Sequence, residues 1–284
     1  MLSPFDVRDM PYGRFAPPLL ARLLLGKRDF DAPHRTRGVR RRLLKFFVLK
    51  APRIWDVTYK GLKLRLYPSQ NYCDFQIVMH GSHHDEPDLN AFAKVVAGSK
   101  SFVDVGANVG IYTLIASQNM AAGGTIVSFE PAPDTSEKLI KNIALNGVTA
   151  ATVMRHAVGD AETTLRLHVV AANNAGCNSL SEELGLTATG GGFDVPVKTL
   201  HSALSTLGVH RIDVLKIDVE GFEDRALLPF LLSAPPSQWP EYVLLEKTHQ
   251  SLWKADLITA FKERDYEVAF ENVGNVHLRR RHAG

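Results

Sequence analysis

Between Ser101 and Glu130 the chain reads SFVDVGANVGIYTLIASQNMAAGGTIVSFE, an order of residues that few folds admit. Phe102-Val103-Asp104-Val105 is a short apolar run of the kind that forms a buried parallel strand. Gly106-Ala107-Asn108-Val109-Gly110 follows, a turn in which Gly, and Asn next most easily, take the positive φ that tight backbone needs. Ile111, Tyr112, Leu114, Ile115 and Ala116 then fall at helical spacing, and Gly123-Gly124 stops that helix. Thr125 to Phe129 is a second apolar strand, closed by Glu130. Strand, glycine turn, helix, strand and acid make half of a nucleotide-binding α/β sheet. The turn brings bare N–H groups and a helix N-terminus up to a ligand, and Glu130 can accept both hydroxyls of a ribose.

Two cofactor classes use that plan. A dinucleotide fold wants G-x-G-x-x-G, so that backbone can approach a pyrophosphate. Here Asp104 precedes Gly106 by two residues, with Asn108 and Gly110 after it. A carboxylate there repels a pyrophosphate but can hold the ammonium end of a methionine moiety, directly or through water. The arrangement resembles motif I of the S-adenosylmethionine-dependent methyltransferases. The competing reading is a strand–helix turn that binds nothing.

At 284 residues the chain can hold one large α/β domain with appendages, and such a core needs no staples. Apolar residues at 45% and charged ones at 22% exclude a disordered or highly charged class. Cys73 and Cys177 give no disulfide framework and no metal-knuckle spacing, so they read as reduced thiols in a cytoplasmic protein. No apolar run approaches the roughly 18 residues of a spanning helix, and no signal-peptide apolar region is expected at the N-terminus. The net charge of +3 hides an asymmetry: residues 1–65 carry 16 Lys and Arg against 5 Asp and Glu, the remainder 17 against 25.

Domain organisation reads as a basic segment over 1–50, a β-hairpin and helical lead-in over 51–98, and a catalytic domain over 99–284. Leu19 to Leu25 suits one short helix. Arg35, Arg37, Arg40, Arg41, Arg42 and Lys45 run into Leu43, Leu44, Phe46, Phe47, Val48 and Leu49. Residues 35–50 could therefore lie on an anionic membrane or grip an acidic partner; the plainer expectation is a helix packed on the domain with its arginines in water. No nucleic-acid module is recognisable, and the sequence is silent on oligomeric state.

Trp55 to Tyr67 alternates around Lys60-Gly61 as a hairpin. His80 to Glu86 invites a metal reading, but its ligands crowd one loop with no second cluster nearby, so a solvated loop before a helix near Pro87 is expected and no metal is assigned. A helix from the Pro131–Glu137 start signal ends at Asn146-Gly147, and Thr152 to Val158 is the third strand. Adenine would sit beside Ala157 and Val158, with Asp160 either accepting from its amine or serving as a turn residue. Thr163 to Val170 is a strand outside the standard order, Asn173 to Gly192 a long mobile loop, and Phe193 to Leu200 a strand.

Ile212 to Glu223, IDVLKIDVEGFE, is a second chemical centre. Val214, Leu215 and Ile217 form a buried strand, with Asp218 at its carboxyl end and Glu220-Gly221 next. Open parallel sheets bind ligands at those ends. Helix-dipole complementation accounts for Glu223 and Asp224, yet leaves Asp218, a costly acid unless it has a partner. Glu241 to Glu246 is a further strand ending in an acid, Trp253 to Arg264 a helix, and Tyr266–Phe270 with Val276–Arg280 a closing hairpin.

FVDVGANVGIYTL, SFEP, NIALNG, AVGD, VKTL and DVLKIDVEGFE, in that order, are similar to the FkbM family of S-adenosylmethionine-dependent methyltransferases. The resemblance spans residues 101–246. It implies a class I, Rossmann-like seven-stranded sheet with helices on both faces, and O-methylation of a hydroxyl on a sugar, polyketide or other secondary metabolite. It implies Asp104, Gly106, Ala107, Asn108 and Gly110 around the methionine moiety, Glu130 on the ribose, and Ala157-Val158 near adenine. His201 stands where the family has an acid, and Lys247-Thr248 separates Glu246 from His249, which puts His249 in doubt as a base. Asp218 is then the expected base, with Glu220 and Glu246 orienting substrate. The alternatives are N- or C-methylation, including RNA, a NAD-dependent oxidoreductase, and a non-catalytic protein that keeps the fold.

Overall fold

The computed structural model describes residues 10–25, 38–50, 54–171, 174–189 and 191–281. Helices α1 (Leu19–Leu25) and α2 (Gly38–Lys50) precede a hairpin of β1 (Trp55–Tyr59) and β2 (Leu62–Leu66), then α3 (Tyr72–His80) and α4 (Glu86–Val95). The sheet begins with β3 (Ser101–Val105), α5 (Ile111–Asn119), β4 (Thr125–Phe129), α6 (Pro133–Leu145) and β5 (Ala151–Met154). Then come β6 (Ala157–Val158), β7 (Thr163–Ala171), β8 (Asn174–Ser179), α7 (Glu182–Gly185), β9 (Gly192–Lys198) and α8 (Leu200–Thr206). The chain finishes with β10 (Val214–Ile217), α9 (Glu223–Ser233), β11 (Tyr242–Glu246), α10 (Leu257–Lys262), β12 (Tyr266–Glu271) and β13 (Asn275–Arg280).

Seven strands form one sheet in the order β12-β13-β11-β10-β3-β4-β5. From β11 through β5 the pairing is parallel, while β13 runs antiparallel between β11 and β12. The reversal of order falls between β10 and β3, the crevice where an open α/β sheet takes its ligand. Alternate residues feed two separate cores. Phe102, Ile126, Val214 and Leu244 pack with α4, α5, α6 and the hairpin. Val103, Val127, Leu215 and Val243 pack with α8, α9 and α10. Burial on both faces explains the near-continuous apolar runs of these strands.

The hairpin forms as its sequence predicts, with Lys60 (φ 49) and Gly61 (φ 74) both left-handed in its two-residue turn. Its Trp55, Val57 and Leu64 share a core with Phe102 and Ile111. Asp88 of α4 ties the lead-in to the last hairpin: its carboxylate accepts from Asn272 Nδ2 (2.8 and 3.0 Å) and meets His277 Nε2 at 3.0 Å, with His277 wholly buried.

Three expectations need correction. Thr152 to Val158 is not one strand: it breaks at Arg155-His156, and β6 leaves the large sheet to pair with β9. Within the stretch Asn173 to Gly192, the described residues are built rather than a long loop, with β8 pairing antiparallel to β7 and α7 following. The result is a second sheet, β6-β9-β7-β8. Trp253 to Arg264 gives helix over Leu257–Lys262 alone, after Asp256 caps it by accepting from Thr259 N.

In α2, Leu44 and Val48 are buried whereas Val39, Leu43, Phe46 and Leu49 are exposed, as are Arg42 and Lys45. Arg35 and Arg37, and the side chains of Arg40, Arg41 and Phe47, lie outside the described residues. No helix among the described residues is long and apolar enough to cross a membrane.

Candidate active site

The glycine turn leaves β3 with Gly106 (φ 78), Asn108 (φ 51) and Gly110 (φ 93) all left-handed. A Cβ on Gly106 would lie 1.9 Å from the carbonyl oxygen of Asp218, so the backbone at the end of β10 rests directly on this residue. A Cβ on Gly110 would lie 2.4 Å from Leu139 Cδ1. The turn's amides are not bare, however. Those of Gly106 and Ala107 donate to the Phe129 carbonyl (3.0 and 2.9 Å), and that of Asn108 donates to Glu130 Oε2 (2.9 Å).

Glu130 lines the main cavity at the tip of β4, with Gly106, Asn108, Asp218 and Glu220. Its second oxygen accepts from Ala132 N at 3.0 Å. Burial pushes its carboxyl up to about 7 against those two bonds. Each oxygen keeps a lone pair for a further donor, which a vicinal diol supplies.

Sequence reasoning passed over Lys216, in the middle of β10. Its ammonium is buried 3.9 Å from Asp104 Oδ1 and 3.4 Å from Asp218 Oδ2, and it donates to the Gly106 carbonyl at 2.9 Å. Burial opposes its charge, but the Asp218 and Asp104 carboxylates hold it above its ordinary value. A lysine inside the apolar run Val214–Ile217 was itself the signal, because a buried cation demands an anion. Asp104 meets that demand. It is wholly buried, its Oδ2 accepts from Thr113 Oγ1 (2.6 Å), and it lines neither cavity at the turn. Direct contact between Asp104 and a ligand amine is closed off in this structure; the residue acts through Lys216.

The apolar end of the cavity is walled by Phe129, Ala157, Val158, Leu167 and Leu180, with His156 among them. His156 Nδ1 donates to the Ala157 carbonyl at 3.0 Å, which leaves Nε2 as a bare acceptor, buried and without a partner among the described residues. Burial lowers this imidazole below its ordinary value, so it is neutral. An acceptor of that kind fits an adenine amine. Asp160 does not: it is exposed, forms an ion pair with Arg225 (2.9 and 3.2 Å), and is absent from the cavity wall. Gly176 and Asn178 of β8 roof the space.

At the other end Asp218 is about one-third exposed and borders both cavities. Glu220 takes φ 55 and its Oε2 lies 3.1 Å from His249 Nε2. Burial raises the Glu220 carboxyl, and the bond to Glu220 raises the His249 imidazole. Glu246 ends β11 nearly buried; Oε1 accepts from Thr248 N (2.5 Å) while Oε2 is unpartnered among the described residues. Burial, with the neighbouring Asp218 and Glu223 carboxylates adding to it, pushes Glu246 up to about 8. Glu223 and Asp224 are structural. Glu223 accepts from the amides of Val219 and Gly221, and Asp224 from those of Lys254 and Ala255.

A switch-point crevice with a glycine turn, a strand-end acid and a neutral acceptor among apolar walls accords with a class I methyltransferase fold. The chain belongs to the FkbM methyltransferase family: the profile described as Methyltransferase FkbM domain matches residues 104–268, well over half of the chain. The methyl donor is S-adenosylmethionine. The residues present fit that group: both Glu130 oxygens keep capacity for a further donor such as a ribose hydroxyl, and His156 Nε2 awaits a donor.

Methyltransferase sdnD of Sordaria araneosa is 29% identical over an alignment of 150 positions that covers 43% of this chain and 56% of that protein. The chain thus spans just over half the length of this curated relative. Among solved structures, a methyltransferase FkbM from Methylobacillus flagellatus superposes with a TM-score of 0.44 at 14% identity, covering 72% of this chain and 52% of that one. An O-methyltransferase from Bacillus cereus in complex with SAH gives 0.42 at 9% identity, covering 69% and 81%.

Proposed function

We propose that the protein is an O-methyltransferase acting on a hydroxyl of a small molecule or glycan, such as a sugar, polyketide or other secondary metabolite. The observation that carries this reading is the row of proton-accepting groups at the carboxyl ends of β10 and β11: Asp218, then the Glu220–His249 pair at 3.1 Å. When bound, S-adenosylmethionine supplies an electrophilic methyl group on a sulfonium. The chain's task is to align an acceptor oxygen with it, worth about 7–11 kcal/mol through orientation, and to take the hydroxyl proton, worth about 10²–10⁴-fold. Asp218 borders both cavities and is the proposed base. Lys216 holds its carboxylate in place and Glu220 holds His249 for the acceptor. Glu246, buried behind them and absent from both cavity walls, orients the substrate only through its neighbours.

Transfer of labelled methyl groups with product analysis tests the reading; label on nitrogen, carbon or RNA would overturn it. Asp218→Asn is expected to leave affinity for S-adenosylhomocysteine within a few-fold and to cut turnover at least about tenfold. Unchanged turnover removes Asp218 from the mechanism.

A further inference from the structure

We propose that Cys73, His83 and His84 form a binding site for a divalent cation of the zinc class. The site lies on the wall of a second cavity that shares Gly106, Asn108 and Asp218 with the first. It does not depend on which hydroxyl, or which atom, receives the methyl group.

In sequence, His83 and His84 lack a partner from another element. The fold supplies one: α3 carries Cys73 back to the loop, and the ligand-capable atoms of the three residues lie within 4.8 Å of one another. Cys73 Sγ is 3.6 Å from His84 Nδ1. Tetrahedral zinc, with bonds of about 2.3 Å to sulfur and about 2.0–2.1 Å to nitrogen, sets such a pair about 3.6 Å apart. The other nitrogen of His84 faces Asp85 Oδ2 at 3.0 Å. That bond accounts for a proton on Nε2 and leaves Nδ1, facing the thiol, as the nitrogen a metal would take, the metal–imidazole–carboxylate arrangement of bound zinc. His83 Nδ1 accepts a long hydrogen bond from the Asp85 amide, 3.2 Å, and ligation exchanges that contact for a metal bond.

One sulfur and two imidazoles favour zinc, cobalt or copper over magnesium or calcium. Three protein ligands leave a fourth position, filled by water or a substrate oxygen on the cavity side. His83 is buried, Cys73 half-buried and His84 exposed, so the cation has an entry path. Lys216 faces the same cavity, but its charge is answered by Asp104 and Asp218. Loading releases the Cys73 thiol proton, because the thiolate is the ligand.

The test uses the full chain, freed of any histidine tag and stripped with chelator, and titrates Co²⁺. We expect near-ultraviolet thiolate-to-cobalt absorption and the visible bands of tetrahedral cobalt, saturating at about one equivalent and displaced by Zn²⁺. Cys73→Ser abolishes the thiolate band, Cys177→Ser keeps it, and Asp85→Asn weakens affinity about 10–100-fold. Absence of the band in wild-type protein shown folded by circular dichroism overturns the proposal, as does its survival in Cys73→Ser. Calorimetry with S-adenosylhomocysteine on the same sample keeps the two readings apart. Cofactor heat without a cobalt signal sinks the metal site alone.

Discussion

The wall and the roof of the main cavity are held in place by different means. On the wall side the carboxyl ends of β3, β4 and β10 are locked by backbone. Gly106 abuts the Asp218 carbonyl, the Gly106 and Ala107 amides are spent on Phe129, and a buried ammonium bridges two strand-end acids. On the roof side, β8 pairs antiparallel with β7 and is tied to the elements around it by amide side chains. Asn174 Oδ1 accepts from Tyr72 N at 3.1 Å, and Asn71 Nδ2 donates to Asn108 Oδ1 at 2.8 Å beneath Gly176. The difference teaches where change is tolerated. Where the wall is main chain against main chain, as at Gly106, a substitution must move a strand, whereas the amide contacts of the roof can be retuned one at a time.

Lys216→Met should break this contrast most severely. Removing one partner of a buried ion pair costs about 3–5 kcal/mol, so denaturant midpoints should fall sharply; a loss under about 1 kcal/mol would mean the lysine does not organise the wall. Gly106→Ala comes next. Its Cβ would press on backbone, and an overpacked contact costs about 1–3 kcal/mol, with the heat of S-adenosylhomocysteine binding lost in calorimetry. A Gly106→Ala protein that binds normally would show the wall to be as pliable as the roof.

A pH series sharpens the same point. The Glu246 carboxyl is raised in the fold from 4.5 to about 8, so the folded state holds its proton longer than the unfolded chain does. Its contribution is intact below about 4.5, is lost progressively between there and about 8, and is level above. Glu246→Gln should flatten that fall in melting temperature, and an unchanged slope would sink the assignment. Asn174→Ala should do least. A single hydrogen bond contributes about 0.5–1.5 kcal/mol, and the expected signature is faster cofactor release in stopped-flow, with little change in melting temperature.

The wall was largely legible in the sequence and the roof was not, for a physical reason. Strands of the large sheet are buried on both faces, so Val103–Val105, Val127–Phe129 and Val214–Ile217 advertise themselves as apolar runs. Strand β8, Asn-Ala-Gly-Cys-Asn-Ser, is built of small and amide residues with Gly176 and Asn178 on the cavity, so it carries no apolar alternation to read. The kink at Arg155-His156 left no glycine or proline as a marker. His156 was missed for that reason, while Asp160, in plain view after a glycine, read as either an amine acceptor or a turn residue.

The contact between Asp88 and His277 joins positions 189 residues apart and has a practical corollary. A shortened enzyme that began at Ser99 would strand an interior imidazole without its acid and strip Phe92 from its ring contacts with Phe102 and Tyr112. For anyone engineering a split reporter or a minimal version, the lead-in is therefore no removable preface; it is the catalytic body's other jaw.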